Sequence, residues 1–128
     1  MSRDHNKLRV FTQSDELVPL VYKITTALPD AERFGLQSQI RKAAVSAPTN
    51  IVEGCTRRAE SGYTYFLEIA LGSASEVRYL LGLCVRLEFS KKAAVKPVVE
   101  LYDELIKGLQ KLIDSFPQSA PKPGAPGA

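Results

Sequence analysis

The stretch LQSQIRKAAVSAPTNIVEG, residues 36–54, decides the fold, because its apolar side chains recur at the period of an α-helix. These apolar residues are three or four positions apart and therefore share one helical face. They are Leu36, Ile40, Ala43, Ala47 and Ile51. The pattern predicts a helix that runs on to about Arg57. Pro48 stands in its middle, where the missing N–H and the ring disturb the hydrogen-bond ladder, so we expect a kink there.

Three further segments show the same period and predict three more helices. The first has its apolar positions between Leu17 and Leu28, and its start is open because Thr12, Ser14 and Asp15 can each cap it. Pro19 is tolerable in it only within the first turn or at a kink. The third helix covers residues 62–87. The fourth follows Ser90, and either starts there and bends at Pro97 or restarts at Pro97. Short connections favour antiparallel neighbours, so the sequence predicts an all-α, up-and-down four-helix bundle.

The chain divides into one helical domain with two different ends. We expect residues 1–13 to be a flexible N-terminus or the start of the first helix, and residues 14–116 to form the bundle. The remainder, PQSAPKPGAPGA, residues 117–128, carries one charge and few groups that a core needs. We therefore expect a disordered tail.

Composition indicates a cytoplasmic protein that has no membrane partner. The 128 residues are 45% hydrophobic and 24% charged, with a formal net charge of +3. No apolar region follows the basic residues of the N-terminus, and no apolar run is long enough to span a bilayer. Cys55 and Cys84 are too few for a disulfide scaffold, and we expect both to be reduced. The mild positive charge allows an anionic partner without requiring one.

The residues that most enzymes need are missing, so we expect a protein that is not an enzyme and holds no cofactor or metal. The single histidine, His5, lies near the N-terminus, and no glycine-rich phosphate loop is present. Cys55 lacks a base that would make it a nucleophile. For the carboxylates of Glu53, Glu68 and Glu76 we expect ion pairing or solvation rather than metal binding.

The third helix predicts self-association. One apolar stripe runs along it from Tyr63 to Cys84, and a second stripe lies elsewhere on its surface: Ile69, Leu80, Leu83 and Leu87. A chain of this length has little material to cover both stripes, so a homo-oligomer is expected.

The segments at residues 28–54 and 66–77 resemble the four-helix-bundle proteins encoded in intervening sequences of bacterial 23S rRNA genes. The resemblance lies in short motifs that follow one another in order: Pro29, Glu32, Gly35-Leu36, Gln39-Ile40-Arg41, Ala44-Val45-Ser46, Pro48-x-Asn50, Glu53-Gly54 and Ala70-x-Gly72-Ser73-x-x-Glu76. It implies a bacterial protein that assembles into a homo-oligomer, as a pentameric ring. It also implies a distant relation to the accessory protein of diversity-generating retroelements, which works with a reverse transcriptase and nucleic acid.

The leading hypothesis is a non-catalytic oligomeric bundle that binds or accompanies RNA or another nucleic acid through basic surface patches. One predicted patch and a second cluster supply the candidate nucleic-acid-binding residues: Arg41, Lys42, Arg57 and Arg58, then Lys91 and Lys92. The alternative is a protein-interaction scaffold, with another protein as partner, whose basic side chains are merely solvated.

A second set of residues is predicted to have structural roles: Ser46, Asn50, Glu53, Gly54, Ser73 and Glu76. We expect Asn50 and Glu53 to be largely buried at a helix or subunit contact, where losing the Glu53 carboxylate costs about 1 to 3 kcal/mol. If exposed, Glu53 would instead pair with Arg57 four residues on.

Overall fold

The computed structural model describes residues 3–117. Four α-helices account for most of them: α1 Arg9–Thr25, α2 Leu36–Cys55, α3 Glu60–Arg86 and α4 Lys92–Asp114. Short 3-10 turns at His5–Lys7 and Asp30–Glu32 precede α1 and α2. The described residues contain no strand, which confirms the all-α prediction. Residues 118–128, most of the predicted disordered tail, lie outside the described part of the chain.

The four helices pack as a closed cycle. α1 contacts α2 and α4, and α3 contacts the same two helices, so α2 and α4 lie diagonally across the bundle. The connections between successive helices are short, and successive helices therefore run in opposite directions. The kink and the ring-like assembly stay predictions.

The core lies along the bundle axis, where each helix turns its apolar stripe inward. The largest fully buried aliphatic side chains come from α2, α3 and α4: Ile40, Ile51, Leu67, Leu81, Leu105 and Leu109. Two tyrosines, Tyr63 and Tyr102, are buried with them. Each such side chain contributes about 1.5 to 3 kcal/mol of transfer free energy, so the apolar stripes hold the helices in place.

Prolines do not end any of the helices. α2 continues past Pro48 to Cys55. α4 starts at Lys92 and includes Pro97, so the fourth helix does not restart at Pro97, and a bend there stays a prediction. α1 begins at Arg9 and contains Pro19 in its second half. Of the two places expected for Pro19, the first turn is therefore excluded, and a kink at Pro19 stays a prediction.

The helix boundaries differ from the sequence expectations by a few residues. α1 begins within the 1–13 segment and ends at Thr25, although Leu28 is still buried in the connection that follows. α2 stops at Cys55 rather than at Arg57. Such differences arise because helix ends depend on capping and tertiary contacts more than on periodicity.

The second apolar stripe of α3 is covered in part by the chain itself. Leu80 is buried, while Ile69 and Leu83 are half-buried. Leu87 remains 46% exposed. Packing within one chain thus removes part of the reason for expecting self-association.

Candidate nucleic-acid interface

A groove of about 700 Å³ lies between the C-terminal part of α1 and the outer face of α2. We call it the α1–α2 groove and define it by six of its lining residues: Tyr22, Arg33, Phe34, Gln37, Arg41 and Lys42. Three of the six carry positive charge and two are aromatic. No aspartate or glutamate is among the described residues that line it, so the cations are not neutralised locally.

Arg41 holds the end of α1. Its Nε donates to Thr25 Oγ1 at 2.8 Å, and its Nη2 donates to the carbonyl oxygen of Tyr22 and to Thr26 Oγ1, both at 3.2 Å. The guanidinium also lies over the Tyr22 ring, 4.5 Å from the centroid. A cation at a helix C-terminus compensates free carbonyl groups and the negative end of the dipole. Arg41 is therefore a positioning residue whose charge still contributes to the groove.

Among the described residues, all three cations of the groove are free of carboxylates, but only Lys42 and Arg33 are also free of the hydrogen bonds that hold Arg41. The two salt bridges found within residues 3–117 join Arg57 to Glu53 and Arg78 to Asp103. Both Lys42 and Arg33 are exposed. Their charges are available to an anion that enters the groove from solvent.

Phe34 is the most exposed large apolar side chain among the described residues. It is 90% exposed and stands in the connection between Asp30–Glu32 and α2. The guanidinium of Arg33 lies 5.6 Å from its ring centroid. The groove thus presents an open aromatic ring next to a free cation.

Arg57 and Arg58 follow the C-terminal end of α2, beyond Asn50, the last residue of α2 that lines the groove. Arg57 pairs with Glu53 and stacks 4.7 Å from the ring centroid of Phe66. Its carbonyl oxygen accepts a hydrogen bond from the Arg3 guanidinium at 3.3 Å. Arg58 is exposed. At 1.5 Å per residue this end is about 20 Å from Lys42, so Arg57 and Arg58 do not belong to the groove.

Lys91 and Lys92 stand at the start of α4, on another side of the bundle. Lys91 lines a separate apolar groove between α1 and α4, together with Lys23. The six predicted basic residues therefore do not form one patch. The structure brings Arg41 and Lys42 together with Arg33, and places the other two pairs elsewhere.

Three of the six predicted structural residues take part in hydrogen bonds between α2 and α3: Ser46, Ser73 and Glu76. The hydroxyls of Ser46 and Ser73 are 2.8 Å apart, and within α2 Asn50 Nδ2 donates to the Ser46 carbonyl oxygen at 2.8 Å. Farther along the same pair of helices, Gln39 Nε2 donates to Glu76 Oε2 at 3.1 Å. Asn50 is half-buried rather than largely buried.

Glu53 is exposed, so the expectation that it is buried was wrong. Its side chain is 48% exposed and its partner Arg57 is 45% exposed, four residues later on the same helix. The last turn of α2 faces solvent at this position, and no other helix covers it. An exposed pair of this kind contributes only about 0.2 to 0.5 kcal/mol, well below the cost expected for a buried carboxylate.

The two cysteines are buried free thiols. Burial raises the pKa of Cys55 and the pKa of Cys84 above the usual thiol range. The thiolate is the reactive form, so both side chains act as small core residues. None of the helices within residues 3–117 has the apolar stretch that a transmembrane segment requires.

Three members of the site were not predicted from the sequence: Arg33, Phe34 and Tyr22. A signal was present, since Arg33-Phe34 is an adjacent cation and aromatic residue in a short connection. Tyr22 gave no signal, because its place beside Arg41 depends on how α1 packs against α2.

The four-helix fold also occurs in a solved structure of another protein. A crystal structure of a protein of unknown function from the S23 ribosomal protein family of Bacteroides thetaiotaomicron superposes with a TM-score of 0.75 at 24% sequence identity. The match covers 82% of this chain and 95% of that one. No curated protein sequence matches the chain, and the relation to the retroelement accessory protein stays a prediction. The family model of the 23S rRNA-intervening sequence protein matches residues 6–111, and the chain therefore belongs to that family.

Proposed function

We propose that this protein is a non-catalytic RNA-binding bundle that holds the phosphate backbone in the α1–α2 groove. The observation that carries the proposal is the convergence of Arg33, Arg41 and Lys42 on a groove lined by none of the described carboxylates. Phosphate contacts supply most of the affinity of non-specific nucleic-acid binding, and they need unpaired cations. The family description refers to intervening sequences of 23S rRNA, so that RNA is the first to test.

Removing the two free cations of the groove tests the proposal. We expect the Arg33→Gln, Lys42→Gln double variant to bind a 23S intervening-sequence RNA on the order of tenfold more weakly at about 50 mM salt. The slope of log K against log salt should fall in magnitude by about 1.5, since each lost phosphate contact accounts for about 0.7 to 0.9. Filter binding between about 50 and 200 mM salt measures both quantities.

Two double variants of equal charge change serve as controls. One control replaces Arg57 and Arg58 by glutamine, and the other replaces Lys91 and Lys92 by glutamine. Each removes two positive charges that lie outside the groove. Both should keep nearly full affinity and salt slope. An equal loss in all three double variants, or no binding by the wild type at low salt, would show that the groove is not the RNA site.

A second candidate function, a homo-oligomeric protein-interaction scaffold, has support on α3. Tyr65 and Tyr79 are 54% and 59% exposed. Gly72 lies midway between them on the same helical face, and a Cβ there would meet nothing within 4 Å. An open, small-residue position between two aromatic rings suits close contact with a second helix. A pentameric ring is the form of assembly that we propose for this face.

A further inference from the structure

We infer that the α1–α2 groove takes unpaired RNA nucleotides, with a base stacked on the Phe34 ring and the adjoining phosphates on Arg33 and Lys42. This inference rests on the proposed function and adds the class of RNA that the site selects. It follows from three observations. The Phe34 ring is exposed, hydrogen bonds hold the backbone on both sides of it, and the nearby Gln37 and Arg41 side chains already donate hydrogen bonds within the bundle.

The surroundings of Phe34 distinguish it from other exposed apolar residues. Single exposed apolar side chains are common and need no explanation. Phe34 differs because a 90% exposed ring stands beside the Arg33 guanidinium and in the same groove as Lys42. Single-stranded nucleic acid is bound by this combination of aromatic faces for the bases and cations for the backbone.

The backbone on both sides of Phe34 is held by hydrogen bonds, so the ring is presented by an ordered segment. Arg33 N donates to the carbonyl oxygen of Asp30 and Gly35 N donates to that of Glu32, both at 3.1 Å. The Glu32 carboxylate in turn accepts from Leu36 N at 3.3 Å, at the start of α2. A segment that is already ordered loses less entropy when a ligand binds.

On the opposite wall of the groove, the polar side chains are already engaged in contacts within the bundle. Gln37 Nε2 donates to the carbonyl oxygen of Thr25 at 2.9 Å, and Arg41 covers one face of Tyr22. Both residues tie the end of α1 to α2. Lys42 and Arg33 are thus left to contact phosphate, and Phe34 is left to contact a base.

Base stacking separates unpaired RNA from duplex RNA. In an A-form duplex the base faces are stacked within the helix and the major groove is too deep and narrow for side chains to enter. Only the phosphates of a duplex would reach Arg33 and Lys42. One stacked base should therefore favour the unpaired strand by about 5- to 150-fold.

The absence of tryptophan from the chain allows a direct optical test. Phe34→Trp places one indole in the groove, and its fluorescence is quenched when a base stacks on it. Leu101→Trp is the matched control, because Leu101 is 42% exposed on α4, diagonally opposite α2. Each variant is titrated at about 50 mM salt with an unstructured RNA 12-mer and with the same sequence as a duplex. A DNA 12-mer of that sequence tests the contribution of the sugar.

We expect the unpaired 12-mer to quench the indole at position 34, the duplex to bind without quenching it, and the indole at position 101 to stay unchanged. Phe34→Leu, which keeps an apolar side chain, should weaken binding of the unpaired strand at least 5-fold and leave its salt slope and the duplex affinity unaltered.

Other results would overturn the inference in recognisable ways. Equal binding of both RNAs without quenching at position 34 removes the base-stacking role and leaves the phosphate-binding groove intact. Failure of either RNA to bind at low salt rejects the proposed function as well. Emission from position 34 that shifts with protein concentration alone would assign Phe34 to a contact with a second copy of the chain.

Discussion

The close approach of α2 to α3 at Gly54 predicts that a single added methyl group destabilises the bundle. A Cβ on Gly54 would lie 3.1 Å from Phe66 Cβ and 3.3 Å from the carbonyl oxygen of Tyr63. Neither atom can rotate away, since both are fixed to the backbone of α3. Overpacking of this kind costs about 1 to 3 kcal/mol. The better helix propensity of alanine returns at most about 1 kcal/mol, and less than that so near the end of α2.

We therefore expect Gly54→Ala to lower the free energy of unfolding by about 1 to 2 kcal/mol. Gly82→Ala is the matched control on α3, where nothing lies within 4 Å of the added Cβ, and it should raise that free energy by about 0.4 to 1 kcal/mol. Urea denaturation followed by circular dichroism, at one fixed protein concentration, measures both changes. If Gly54→Ala is as stabilising as Gly82→Ala, α2 and α3 are farther apart at Gly54 than these distances indicate.

Two further predictions concern a buried hydroxyl and the state of assembly. The Tyr102 hydroxyl is buried without a hydrogen-bond partner within residues 3–117, and burial raises the pKa of Tyr102. Tyr102→Phe should therefore leave the unfolding free energy at pH 7 unchanged or raise it by up to about 1 kcal/mol. Because an unfolded tyrosine ionises near pH 10, the stability that depends on a neutral Tyr102 is complete below that pH and is lost as the pH rises above it, so the variant should lose less stability than the wild type between about pH 10 and 11. A loss above about 1 kcal/mol at pH 7 would mean that the hydroxyl has a partner. Light scattering of the wild type at micromolar concentration should give several times 14.1 kDa, whereas a monomer would contradict the proposed ring.

Much of the fold was predictable from the sequence, because helical periodicity is a local property. The spacing of Ile40, Ile51 and their neighbours assigns them to one helical face whatever lies opposite, and these residues are buried in the core. The motifs between residues 28 and 77 pointed to the family that the comparison then showed.

The tertiary structure decided which polar side chains act together. Arg41 and Lys42 are adjacent in sequence, yet Arg41 is bonded to the end of α1 while Lys42 remains exposed. Phe34 joins them only because the connection before α2 folds beside that helix. Periodicity tells which residues share a face, but the covering of that face depends on which helix packs against it and where that helix ends. For this reason the bundle could be read from the sequence, and the α1–α2 groove could not.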